Sequence, residues 1–272
     1  LLALVVGTIA AFPLGFAYAY LVKWIPFVYV NFFATLGYGF LFGWLTGKFM
    51  KMGNVRNGGV AALTGLVLGS IAWYFAWNGS IHATFAFEKA PIIFKPLQVV
   101  RAMEKLYEVG SWGLKSGGPL TGIPLAIVWL VEAGMIVGIT TAVGYGMISE
   151  LPYCETSQCW LDEKKNIDTI ERFVNPEQLA AFKAGDLGPL TQARPRTPGS
   201  GAWTRLLLKH SPNCQVFHTI RLQDITIEVD KNGNPKEKAT DLSGDLVLPA
   251  SMFELISKFE HFSAPPPPSP AG

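Results

Sequence analysis

Apolar side chains fill residues 1–47 almost without a break, and Lys23 is the single charged residue among them. Because ~20 apolar residues cross the hydrocarbon layer of a bilayer, residues 1–22 and 25–47 each suffice for one spanning helix. The tight turn Lys23-Trp24-Ile25-Pro26 separates them. A third run covers 58–77 and ends in Trp73, Tyr74 and Trp77, rings that favour the membrane interface. A fourth covers 122–148. The pattern therefore predicts a membrane all-α four-helix bundle over residues 1–148. Between the third and fourth runs, Leu97, Val100, Met103 and Tyr107 recur at helical spacing with Gln98, Arg101, Lys105 and Glu108 turned away. This predicts an amphipathic helix over 96–108, lying along the membrane surface and packing across the bundle mouth.

Beyond residue 148 the pattern changes to that of a water-soluble domain, 149–262, of about 110 residues, enough to bury its own core. Asn175-Pro176-Glu177-Gln178 joins a capping side chain to a first-turn proline, so a helix of about three turns starts there and closes at Gly185. A second helix is expected over 200–210, ended by Pro212. Val216, His218, Ile220 and Leu222 then alternate on one face, and Ile225, Ile227 and Val229 follow before the turn-forming Asn232-Gly233. These read as a hairpin, with 246–248 a third strand and a last helix over 249–259. The bundle is thus followed by a small soluble α+β domain. Residues 263–272, with four consecutive prolines, read as a disordered, Pro-rich tail.

Composition adds little to this division, since the averages of 50% hydrophobic and 15% charged residues blend two unlike halves. A net charge of +2 without a basic cluster excludes a nucleic-acid partner. Local charge gives direction: Lys48, Lys51 and Arg56 follow the second run with no acid among them, and short basic loops stay cytoplasmic. The Lys23 turn and residues 78–121 are then outside, and the soluble domain is cytoplasmic. The chain opens on Leu1, and Ala17-Tyr18-Ala19 resembles a signal-peptide cleavage site. The apolar run exceeds a signal-peptide core, so a spanning helix is the expectation.

Small residues four apart, Gly39, Gly43 and Gly47, Gly65 and Gly69, Gly134 and Gly138, predict close helix packing. Glu132 stands in the fourth run, where a carboxylate costs a few kcal/mol, ~2.5 to 3.5 on insertion scales for Asp, unless protonated or paired. It is the first candidate site residue, with Asn31, or the hydroxyls of Thr35 and Thr64, as partners. A structural hydrogen bond, an ion or proton site, and a contact with another protein are all open to it.

Three cysteines form the second candidate. Cys154 and Cys159, with four residues between them, can chelate zinc, and Cys214 with His210 would complete a tetrahedral set. His218 is excluded, because four residues along a strand span ~13 Å from Cys214. A Cys154–Cys159 disulfide and free thiols are the alternatives; the disulfide requires the opposite topology. No phosphate loop, nucleophile elbow or H-E-x-x-H motif appears. The function expected is a non-enzymatic membrane scaffold or accessory subunit whose soluble domain binds a partner protein or a second copy of the chain. A small transporter or channel using Glu132, and a zinc-binding or redox-responsive sensor, are the alternatives.

Overall fold

The structure is a computed structural model, and it describes all residues except 26, 85–91, 93–94, 114–117, 174, 192, 198, 232, 250–251, 254–255 and 257–272. The tail, most of the expected last helix and Asn232 lie outside the described residues. The chain divides into two compact units, Leu1–Glu150 and Leu151–Gly272.

The first unit is helical. Four long helices, α1 (Leu2–Trp24), α2 (Val28–Met52), α3 (Gly58–Thr84) and α5 (Gly122–Ser149), pack together, and the shorter α4 (Pro96–Val109) lies against α3 and α5. A two-residue pairing of β1 (Trp112–Gly113) with β2 (Pro119–Leu120) leads into α5. Three of these helices, α1, α3 and α5, are long and apolar enough to cross a membrane. Their outward faces are as apolar as their inward ones: Ile9, Leu63 and Leu130 stand well exposed in the isolated chain. A helix that is hydrophobic all round belongs in a core or a membrane, so the unit is membrane-associated. Of the four expected spans, these three are found among the described residues. Helix α2 has the length, 25 residues, but Asn31, Thr35, Thr46, Lys48 and Lys51 dilute its apolar run.

Close approach explains the packing. On α1, Ala3, Gly7, Ala11 and Gly15 form one buried stripe; a Cβ on Gly15 would stand 2.8 Å from the backbone of Phe75 and Ala76 on α3. On α2, Gly39, Gly43 and Gly47 receive α5, and on α3 Gly65 and Gly69 do the same, with Cβ positions 2.9 Å from the Cα atoms of Thr141 and Val137. Gly134 and Gly138 are different. Nothing lies within 4 Å of their Cβ positions, because α5 meets its neighbours through Val137, Thr140, Thr141 and Val143 and turns these two glycines outward.

The second unit is a sheet with small helices. Strands β5 (Glu163–Ile170), β6 (Ala202–His210), β7 (Phe217–Val229) and β8 (Pro235–Asp241) are antiparallel in that order, and β9 (Leu246–Pro249) pairs with β7 beside β8. Ahead of them, β3 (Tyr153–Cys154) and β4 (Cys159–Trp160) form a hairpin. Helix α6 (Pro176–Lys183) starts on the Asn175 side chain, which accepts from the Glu177 N–H at 2.9 Å. With α7 (Gly188–Thr191) it belongs to the side of the sheet where Leu206, Leu208, Ile220, Leu222 and Leu248 bury against Phe182, Leu190 and Ile256.

The expected helix over 200–210 is strand β6. Three successive leucines satisfy helical spacing, but β6 is paired on both sides, by β5 and β7, and its period-two burial puts Leu206 and Leu208 into the core. Sheet pairing overrides local propensity here. The alternation over 216–229 belongs to one strand of 13 residues, and its change of phase moves burial across the sheet, from Ile220 and Leu222 to Ile225, which is paired with Trp203.

Candidate functional site

Glu132 lies ten residues into α5, about 15 Å along the helix from its start at a rise of ~1.5 Å per residue. The glycines of α2 and α3 draw α5 inward, and the carboxylate meets α1. The Tyr18 hydroxyl donates to Glu132 Oε1 at 2.6 Å. That same hydroxyl is 2.7 Å from Thr35 Oγ1 on α2, and Thr35 donates to the Asn31 carbonyl at 2.9 Å. The Tyr18 ring stacks on Tyr38 with centroids 4.6 Å apart, and the Tyr38 hydroxyl donates to the Ala72 carbonyl of α3 at 3.2 Å. One polar row thus ties all four long helices together.

Protons in that row are countable. It contains three contacts, Glu132 to Tyr18, Tyr18 to Thr35 and Thr35 to a carbonyl, but two hydroxyl protons. With Tyr18 donating to Glu132, Thr35 divides one proton between Tyr18 and its own helix. The row is fully bonded when Glu132 carries a proton of its own and donates it to Tyr18, or when another group supplies a donor.

Thr64 plays no part in it and donates to the Val60 carbonyl of its own helix at 2.8 Å. Tyr18, the partner actually used, is absent from the candidates read from sequence. A tyrosine within a span otherwise reads as core filling, and the signal was that its hydroxyl needs a partner at a depth without water.

A cavity of about 290 Å³ opens beside this row, lined by Glu132, Asn31, Trp77, Trp129, Ser80 and Lys23 among others. These residues come from the end of α1, the start of α2, the end of α3 and the first third of α5, so one end of the bundle holds the whole site. Helix α4 borders it through Leu106, and its Val99 packs with Trp77, Ile81, Leu125 and Trp129. Trp77 and Trp129 meet edge to face with centroids 4.9 Å apart. Two residues of the lining, Asn31 and Trp77, each carry a buried polar atom, Oδ1 and Nε1, that finds no hydrogen-bond partner among the described residues. Beyond Tyr18 the bundle is packed and apolar, with Tyr38, Phe42, Leu68, Ala72 and Ile136 buried together.

In the second unit the β3–β4 hairpin sets Cys154 opposite Cys159, and Cys214 joins them in a small buried cluster with Leu161. The Ser157 N–H approaches Cys154 Sγ at 3.5 Å. Burial alone would push the Cys214 thiol up, but the Cys154 side chain, backbone hydrogen bonds at Phe217 and Val216, and Ser157 outweigh it and bring it down to about 7. Burial pushes the Cys159 thiol up. His210 is turned elsewhere: its ring faces His218 and Phe253, and Nδ1 is 3.7 Å from Glu163. The three thiols could bind zinc only with a fourth ligand from outside this set, and among the described residues no group of three His, Cys, Asp or Glu side chains is disposed to hold a metal ion.

Comparison with known protein families, curated proteins and solved structures finds no match for this chain.

Proposed function

We propose that the chain is a multi-pass integral membrane protein, with α2 as a fourth span, that serves as a non-enzymatic scaffold or accessory subunit. Its soluble domain faces the cytoplasm and binds a partner protein. The observation that supports this is strand β8: it forms an edge of the sheet, and all seven of its residues are exposed. An exposed edge carries unpaired N–H and C=O groups that a partner strand can join. Lys236, Glu237 and Lys238 charge that edge, so a flat apolar strand is rejected and a complementary charged one is admitted.

The test is a photo-reactive residue in place of Ala239, on β8, in cells expressing the full chain. A single defined adduct, lost when Lys236 and Lys238 are both reversed to Glu, is expected; irradiated cells yielding only the lone chain would count against the reading. Orientation is tested separately with Lys231→Cys in a chain lacking native cysteines. A membrane-impermeant maleimide should label it only after the membrane is opened.

A second reading, a small transporter or channel using Glu132, draws on the cavity that reaches this carboxylate. Flux through reconstituted vesicles that disappears with Glu132→Gln would support it. The apolar packing beyond Tyr18 favours binding over passage.

A further inference from the structure

We propose that the cavity at Glu132 is a binding site for a small amino-carboxylate zwitterion of amino-acid size. This stands independently of the β8 edge, and four groups of the lining carry it. Glu132 accepts from Tyr18 through Oε1, and its second oxygen makes no hydrogen bond among the described residues. Asn31 is buried, with 7% of its surface exposed, and its Oδ1 is an unpartnered acceptor. An ammonium group carries three donors and no acceptor, so it satisfies both oxygens at once.

The opposite chemistry is also present. Trp77 Nε1 is a buried donor without a partner among the described residues, and Lys23 adds a cationic donor to the same lining. A carboxylate accepts from both. A simple amine would leave Trp77 unpaired and bring a second positive charge toward Lys23; a simple anion would meet Glu132. Only a ligand with both groups uses all four and enters without net charge, which matters where burying an unpaired ion costs several kcal/mol. The Trp77–Trp129 pair supplies an apolar wall for the ligand's body. Burial of Asn31 Oδ1 and Trp77 Nε1 is a cost that no internal bond offsets among the described residues, and a bound zwitterion removes it.

The experiment uses the full chain in lipid nanodiscs and equilibrium dialysis with radiolabelled glycine, leucine and phenylalanine. At least one should bind saturably. For the best of the three, the amide (cation only) and the deaminated acid (anion only) should each compete at least tenfold more weakly. Glu132→Gln keeps an oxygen that accepts from Tyr18 but loses the charge, and should weaken binding at least tenfold while leaving the melting temperature near that of the parent. Lys23→Met should weaken the zwitterion and strengthen the amide, which no longer meets a second positive charge. No saturable binding by any of the three, competition by the amide or the acid as strong as by the zwitterion, or unaltered affinity in a folded Glu132→Gln would each overturn the proposal. The isostere series is read on the unmodified protein, so a variant that fails to fold does not rescue it.

Discussion

The Tyr18 hydroxyl stands 2.6 Å from Glu132 Oε1, joining two helices across 114 positions of sequence. Since Tyr18 also stacks on Tyr38, Tyr18→Phe preserves the ring contact and deletes only the hydroxyl. The carboxylate then loses its donor, at a cost of about 1–3 kcal/mol. Thermal unfolding in detergent should show it. Combining Tyr18→Phe with Glu132→Gln should cost less than the sum of the two single changes, as contacting residues do.

Glycine substitutions should divide sharply by position. A methyl group on Gly69 would stand 2.9 Å from the Val137 Cα, and one on Gly15 would stand 2.8 Å from Ala76 N. Backbone atoms cannot rotate aside, so Gly69→Ala and Gly15→Ala should each destabilise by about 1–3 kcal/mol. Gly134→Ala meets nothing within 4 Å and should stay within about 0.5 kcal/mol of the parent. Melting temperatures of the three variants in one detergent are a sufficient measurement.

Acid should weaken the soluble domain through His218. Burial, and then the neighbouring charge of His210, hold its imidazole below the ordinary histidine value. Its Nδ1 is buried without a partner among the described residues, and Phe253 covers the ring at 4.1 Å. The unfolded chain therefore takes up the proton first. The histidine's contribution is fully present above the unfolded value, about 6.5, and is lost as pH falls through that value toward the folded one. Denaturation followed between about pH 7 and 5 should show declining stability, with a shallower decline in His218→Phe.

Cys214 should ionise before Cys159. Its thiol lies near 7, held there against burial in part by Cys154. Removing that neighbour with Cys154→Ala should move it upward, toward the usual ~8.5 of a free cysteine. Thiolate absorbance against pH, read in a chain that also lacks Cys159, measures it directly. An unchanged midpoint would mean that Cys154 has no hold on Cys214.

Much of the local structure was legible in residue types. Asn175-Pro176 announced the start of α6, because capping and proline geometry are decided within a few residues. The apolar runs announced α1, α3 and α5 for the same reason: their lipid-facing and packed faces are alike, and no partner need be known. What failed were features that depend on a distant partner. Leu206-Leu207-Leu208 looks helical until β5 and β7 are laid on either side. Gly134 and Gly138 carry the packing spacing, yet which face of α5 turns inward depends on Val137 and Thr140, and spacing is silent on that. Glu132 was visible as an anomaly of charge, but Tyr18 was not, since a phenol joins a network only once two helices have been brought together.

Strand β7 has β6 along one side, while β8 and β9 divide its other side. Its first positions, Phe217 to Ile220, gain their outer partner only from β9, which is translated after every other strand of the sheet. During synthesis those positions therefore stay open until the chain has reached Pro249. By then all of the long apolar helices have left the ribosome. The apolar helices are thus complete before the sheet is, and a delay in β9 leaves the first four positions of β7 without an outer partner.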